Sequence, residues 1–104
     1  MRTLLLVAAL AGAPMAASAA TIQVAISNYA FAPARVTVHP GDTVVWTNHD
    51  VVPHTVSALD GGFASGALAP GASFRRRFTR VGAVRYRCAI HPEMQGTVVV
   101  APPG

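Results

Sequence analysis

Ala83-Val84-Arg85-Tyr86-Arg87-Cys88-Ala89-Ile90-His91-Pro92-Glu93-Met94-Gln95-Gly96-Thr97-Val98-Val99-Val100 is the stretch whose pattern is most decisive. In an extended chain Val84, Tyr86 and Cys88 fall on one face, and Arg85 and Arg87 on the other. The apolar face has to be the core face, so Cys88 enters the interior from a strand end. Gly96 to Val100 reads as a second strand, rich in β-branched residues. Between the two the chain must turn, and the turn presents His91 and Met94 at the same end as Cys88. Pro92 fixes one dihedral and restricts His91 to extended conformations, which stiffens the loop.

The same period of two recurs along the chain. Ile22, Val24 and Ile26 alternate with Thr21, Gln23 and Ala25, and Val36 and Val38 share a face within Arg35 to His39. Pro40-Gly41-Asp42 is a turn signal, followed by a β-branched and aromatic strand from Thr43 to Asn48 with Trp46 expected in the core. Another strand is expected to start at His54 and run to Ser57. Ala58 to Gly71, rich in Gly, Ala and Ser, reads as a long connection. Ala72 to Thr79 is a further strand, and no segment has a helical period. About seven short strands at this spacing predict an all-β sandwich or barrel.

The chain starts with Met1-Arg2, an apolar run from Leu4 to Ala13, Pro14, and Ala17-Ser18-Ala19 as an Ala-x-Ala cleavage signal. Residues 1–19 are therefore expected to be a secretory signal peptide, whose apolar run is short for a membrane span of about 20 residues. Residues 20–104 form one small domain, ending in a loose Ala101-Pro102-Pro103-Gly104 tail. In an oxidising compartment the chain's single cysteine cannot form an internal disulfide, so it pairs between chains, stays free or binds something. After the leader, seven arginines against four acids leave a formal charge of +3, concentrated between Arg75 and Arg87. Within it, Arg75-Arg76-Arg77 reads as a solvated strand face. No aromatic is interleaved in that triplet and the chain is expected to be exported, which argues against nucleic-acid binding. Asp50, Asp60 and Glu93 show no pairing suited to acid–base catalysis.

Four side chains suit one soft metal ion: His54, Cys88, His91 and Met94. Two imidazoles and a thiolate in a plane, with a distant thioether, are the donor set of a blue-copper electron-transfer site. Alone, a buried Cys in a β-sandwich is usually a small core hydrophobe, and a loop Met usually packs on the core. The conjunction of all four carries the reading. His39 and His49 read as solvated turn or loop residues outside the set.

These residues also resemble a known family. Gly41-Asp42-Thr43-Val44-Val45-Trp46-Thr47-Asn48, Pro53-His54-Thr55-Val56, Tyr86-Arg87-Cys88 through Met94, and Gly96-Thr97-Val98-Val99-Val100 are similar, in this order, to the cupredoxins, most of all the amicyanin and plastocyanin group. The Cys-x2-His-x2-Met spacing is that of amicyanins. The resemblance implies a Greek-key β-sandwich of seven to eight strands holding one copper ion in a type 1 site. His54, Cys88, His91 and Met94 would be its ligands, with His91 partly exposed. It further implies a soluble, monomeric periplasmic carrier of single electrons, not an enzyme, with no membrane anchor. Its redox partners would be proteins such as a periplasmic dehydrogenase or a c-type cytochrome. A periplasmic protein for copper sequestration or delivery is the alternative. Two residues depart from the family pattern. Thr55 stands where an Asn usually ties the first ligand loop to the Cys segment. Arg76 shares strand parity with Phe74 and Phe78, which calls for either a bulge or a place at a sheet edge.

Overall fold

The computed structural model describes residues 18–103; residues 1–17 of the expected signal peptide lie outside them. Eight strands follow in order: β1 (Thr21–Ser27), β2 (Ala30–Ala32), β3 (Arg35–Val38), β4 (Thr43–Asn48), β5 (Ser57–Ala58), β6 (Ser73–Arg77), β7 (Gly82–Arg87) and β8 (Gln95–Val100). There is no helix among the described residues. The strands form two four-stranded sheets, ordered β2-β1-β4-β6 and β3-β8-β7-β5. Two pairings are parallel, β1 with β4 and β3 with β8, and the rest are antiparallel. The expected β-sandwich is present.

Alternation explains the layering. Val24 and Ile26 of β1, Val36 and Val38 of β3, Val44 and Trp46 of β4, and Val98 and Val100 of β8 are buried between the sheets. Trp46 is wholly buried and packs within 5.3 to 6.4 Å of the rings of Tyr86, Phe63, Phe74 and Phe78. Such aromatic clusters contribute beyond the area they bury. Tyr86 lies directly across from Gly96, and a Cβ at position 96 would run into the Tyr86 ring. The glycine is therefore what lets the tyrosine cross the strand. Gly41 takes a φ of 101° in the turn that sequence assigned to it.

Three local features differ from expectation or resolve it. The strand expected from His54 to Ser57 is reduced to β5, with His54 on an isolated bridge to Leu68. Between that bridge and β5, the Thr55 and Val56 N–H groups donate to side chains, Cys88 Sγ and Ser65 Oγ, rather than to a neighbouring strand. β2 was not read from sequence because Ala30-Phe31-Ala32 is too short for a visible period; only the two-residue turn Asn28-Tyr29, both at positive φ, closes it onto β1. At Arg76 there is no bulge: β4 and β6 stay in continuous register from Thr43↔Arg77 to Thr47↔Ser73. β6 is an edge strand, so Arg76 leaves the sandwich sideways and its guanidinium lies 5.0 Å over the Phe63 ring.

Candidate metal centre

The site lies at the end of the sandwich where β1, β4 and β7 finish. β7 delivers Cys88 into the interior, fully buried, as parity requires. The chain then reverses in a compact loop: the Met94 N–H donates to the His91 carbonyl at 2.9 Å, and the Cys88 N–H to the Met94 carbonyl at 3.0 Å. These bonds place His91, half-buried, at the tip and return buried Met94 beneath it. His54 comes from the opposite sheet's loop and is also fully buried. Its backbone is held to Leu68 by two hydrogen bonds, of 3.2 and 2.7 Å.

The ligating atoms of His54, Cys88 and His91 all lie within 4.8 Å of one another. Both imidazoles turn Nδ1 toward the thiol, 3.8 Å from Cys88 Sγ for His54 and 3.9 Å for His91. Bonds from one ion of about 2.0 Å to nitrogen and 2.3 Å to sulfur, meeting near the trigonal angle, produce separations of this size. The donor set therefore fits a single ion without rearrangement, and its softness suits copper.

The sulfur is prepared for ligation. Burial pushes the Cys88 thiol up, but the Thr55 N–H, the two imidazoles and a backbone contact at His91 outweigh it and bring the value down to about 6. Thiolate is the ligating form. The Thr55 N–H donates to Cys88 Sγ at 3.3 Å, and the Thr55 hydroxyl accepts from the Ala89 N–H at 2.7 Å. Threonine, though shorter than the asparagine usual in the family pattern, thus ties the two loops together. Its hydroxyl also meets that of Ser57 at 3.0 Å.

Sequence reasoning missed three residues around His54. Asn48, fully buried, donates from Nδ2 to the carbonyls of Val52 and Leu68, each at 2.9 Å, and accepts from the Asp50 N–H. Asp50 takes a hydrogen bond from His54 Nε2 at 2.8 Å, and accepts the N–H groups of Asn28 and Tyr29 at 2.7 and 2.9 Å. The Tyr29 N–H is the largest influence holding its carboxyl below the ordinary value, with burial opposing and Asn28 and His54 assisting. The Tyr29 ring stands nearly perpendicular to both imidazoles, with centroids 5.1 Å from His54 and 5.0 Å from His91. No local spacing signals them, because Asp50 meets a turn more than 20 residues away and residues 50–54 are not helical. His39 and His49 are both exposed and outside the cluster, as expected.

Comparison with known proteins agrees with this geometry. A family model described as a cupredoxin-like domain matches residues 1–100. Amicyanin of Paracoccus versutus is 30% identical over 95 residues, covering 84% of this chain and 72% of that protein. Chloroplastic plastocyanin of Tetradesmus obliquus is 35% identical over 101 residues, covering 83% and 70%. Amicyanin of Paracoccus denitrificans is 38% identical over 69 residues, and the match spans 52% of its length. Among solved structures, a purple cupredoxin from Nitrosopumilus maritimus aligns with a TM-score of 0.71 at 30% identity, covering 77% of this chain and 99% of that one. A copper-containing nitrite reductase from Thermus scotoductus aligns at 0.75 and 29% identity over 92% of this chain, but only 27% of the enzyme.

Proposed function

The chain belongs to the cupredoxin-like family, and from that membership we propose that it holds one copper ion between His54, Cys88, His91 and Met94 and carries single electrons between redox proteins in the periplasm. The observation that supports this most is the convergence of two Nδ1 atoms on one buried sulfur, at 3.8 and 3.9 Å. A copper ion held there supplies one-electron exchange between Cu(I) and Cu(II).

The protein's own part is to hold the donors still and dry. Cys88 and His54 are fully buried and Met94 nearly so, which lowers the local dielectric and limits water access. The loop bonds between Cys88, His91 and Met94 and the Thr55 contacts resist movement when the site's charge changes by one. With four protein donors there is no open position for a substrate, so the site suits a carrier rather than an enzyme. His91, half-buried at the loop tip, is the donor nearest solvent and so the exit for electrons. The leader in residues 1–19 directs the chain to the periplasm, where a dehydrogenase and a c-type cytochrome are suitable partners. Among the described residues no helix is long and apolar enough to cross a membrane.

Burial of the sulfur separates this role from copper delivery, which needs an exposed, exchangeable site. Adding Cu(II) to the purified apoprotein should give an intense thiolate band. That band should bleach on reduction and return on reoxidation with the copper retained. Copper lost at the reduced stage would favour delivery instead.

The axial assignment has its own test. Met94→Leu should keep copper and colour while raising the reduction potential. Losing a thioether disfavours Cu(II) more than Cu(I), and leucine makes the surroundings more apolar. A tenfold change in preference is ~59 mV for one electron, and the rise should be of that order. Cyclic voltammetry on matched samples measures it; an unmoved or lowered potential would remove Met94 from the ligand set.

A further inference from the structure

Asp50 lies in the loop between β4 and β5, with its carboxylate largely covered. Its side chain is 13% exposed, and the His54 ring to which it bonds is 0% exposed. Oδ2 accepts both His54 Nε2 at 2.8 Å and the Tyr29 N–H at 2.9 Å, while Oδ1 accepts the Asn28 N–H at 2.7 Å. Its own N–H is anchored to Asn48 Oδ1 at 2.9 Å. The carboxylate is therefore fixed by three hydrogen bonds and its backbone by a fourth, and the His54 imidazole has one nitrogen on Asp50 and the other 3.8 Å from the sulfur.

The turn it caps is unusual. Asn28 and Tyr29 have φ values of 55° and 58°. Two-residue hairpin turns of this kind favour glycine in the second place, because a Cβ there is strained. Such strain persists only where the surroundings over-determine it. Here both strained N–H groups point at the Asp50 carboxylate, and the Tyr29 ring is held against His54 and His91.

We infer that Asp50 is the positioning residue of the centre, a carboxylate that fixes the His54 tautomer, favours the oxidised ion and clamps Tyr29 over both imidazoles. With Nε2–H donated to the carboxylate, the Nδ1 lone pair is left free and faces Cys88. A negative partner on the far nitrogen makes the imidazole a stronger donor, and a stronger donor with nearby negative charge stabilises the more positive ion. The same carboxylate ties ring orientation to the β1–β2 turn. The inference rests on the proposed copper site and adds to it a residue outside the four donors.

The test compares the copper-loaded wild-type chain with Asp50→Asn and Asp50→Glu. Asn keeps one acceptor for the His54 N–H and removes the charge, while the exposed Asn28 N–H can turn to water. Asp50→Asn should stay blue and lose about tenfold in affinity for Cu(II), the lower end of the range of metal affinity lost with such a partner. The less positive Cu(I) is little affected, so the preference for Cu(II) falls about tenfold. That fold-change is a rise of ~59 mV for one electron. Asp50→Glu, which keeps the charge, should recover part of the shift. Nitrogen-15 NMR of the wild-type apoprotein supplies a reading that needs no variant to fold: the His54 proton should sit on Nε2 and exchange slowly. A blue wild type whose potential Asp50→Asn leaves unmoved, or a His54 proton found on Nδ1, would overturn the inference alone. A wild type that takes up copper without a blue band would overturn the parent reading, and the NMR result would still decide the tautomer.

Discussion

Cys88→Ser should abolish the visible band of the copper-loaded protein completely and leave a folded sandwich. The colour of such a site comes from charge transfer between a thiolate and copper, and a serine hydroxyl cannot supply it. The exchange removes one soft atom from a position at 0% exposure, with little change in shape. The Thr55 N–H, now 3.3 Å from the sulfur, has a hydroxyl oxygen to donate to in the variant. The Thr55–Ala89 bond at 2.7 Å does not involve the sulfur and should hold the loop in place. Absorption spectra at equal copper loading, with thermal unfolding of the apoprotein as the control, measure both halves. A full visible band in the serine variant would end the assignment of Cys88 as a ligand.

Asn48→Ala should destabilise the apoprotein by about 3 kcal/mol, from three lost hydrogen bonds at roughly 1 kcal/mol each. The side chain is fully buried and bridges Val52, Leu68 and the Asp50 N–H, so its loss frees the chain on both sides of His54. Of the groups left behind, the Leu68 carbonyl keeps its bond from the His54 N–H at 3.2 Å, which moderates the cost. For a domain whose whole stability is about 5–15 kcal/mol, the loss is large. Urea unfolding of the apoprotein should show a clearly lower midpoint with an unchanged slope. A midpoint equal to wild type would mean that the loop around His54 is held by other contacts.

What sequence made legible was whatever follows from a period of two. Val24 and Ile26, Val36 and Val38, Val44 and Trp46, and Tyr86 and Cys88 all face the core as their parity requires. Three of the four donors share one loop whose direction β7 and β8 dictate, so their convergence was readable from spacing alone. The strand expected from His54 to Ser57 survives only at its end, in β5. At His54 backbone bonds to Leu68 replace the ladder, and no propensity encodes that distant pairing. Asp50 and Tyr29 were invisible for the same reason, since their roles depend on a turn at residues 28–29 meeting a loop more than 20 residues away. Arg76 was readable as a conflict of parity, but only the strand order, with β6 at the edge, resolves it.

The proposed carrier requires one copper ion bound between the Cys88 sulfur and two imidazole nitrogens. X-ray absorption at the copper edge, on the oxidised protein loaded with one equivalent, addresses it directly. The expected spectrum shows a shell of two nitrogen donors and one short sulfur bond, changed little on reduction. A shell of oxygen and nitrogen alone, with no sulfur near the copper, would contradict it.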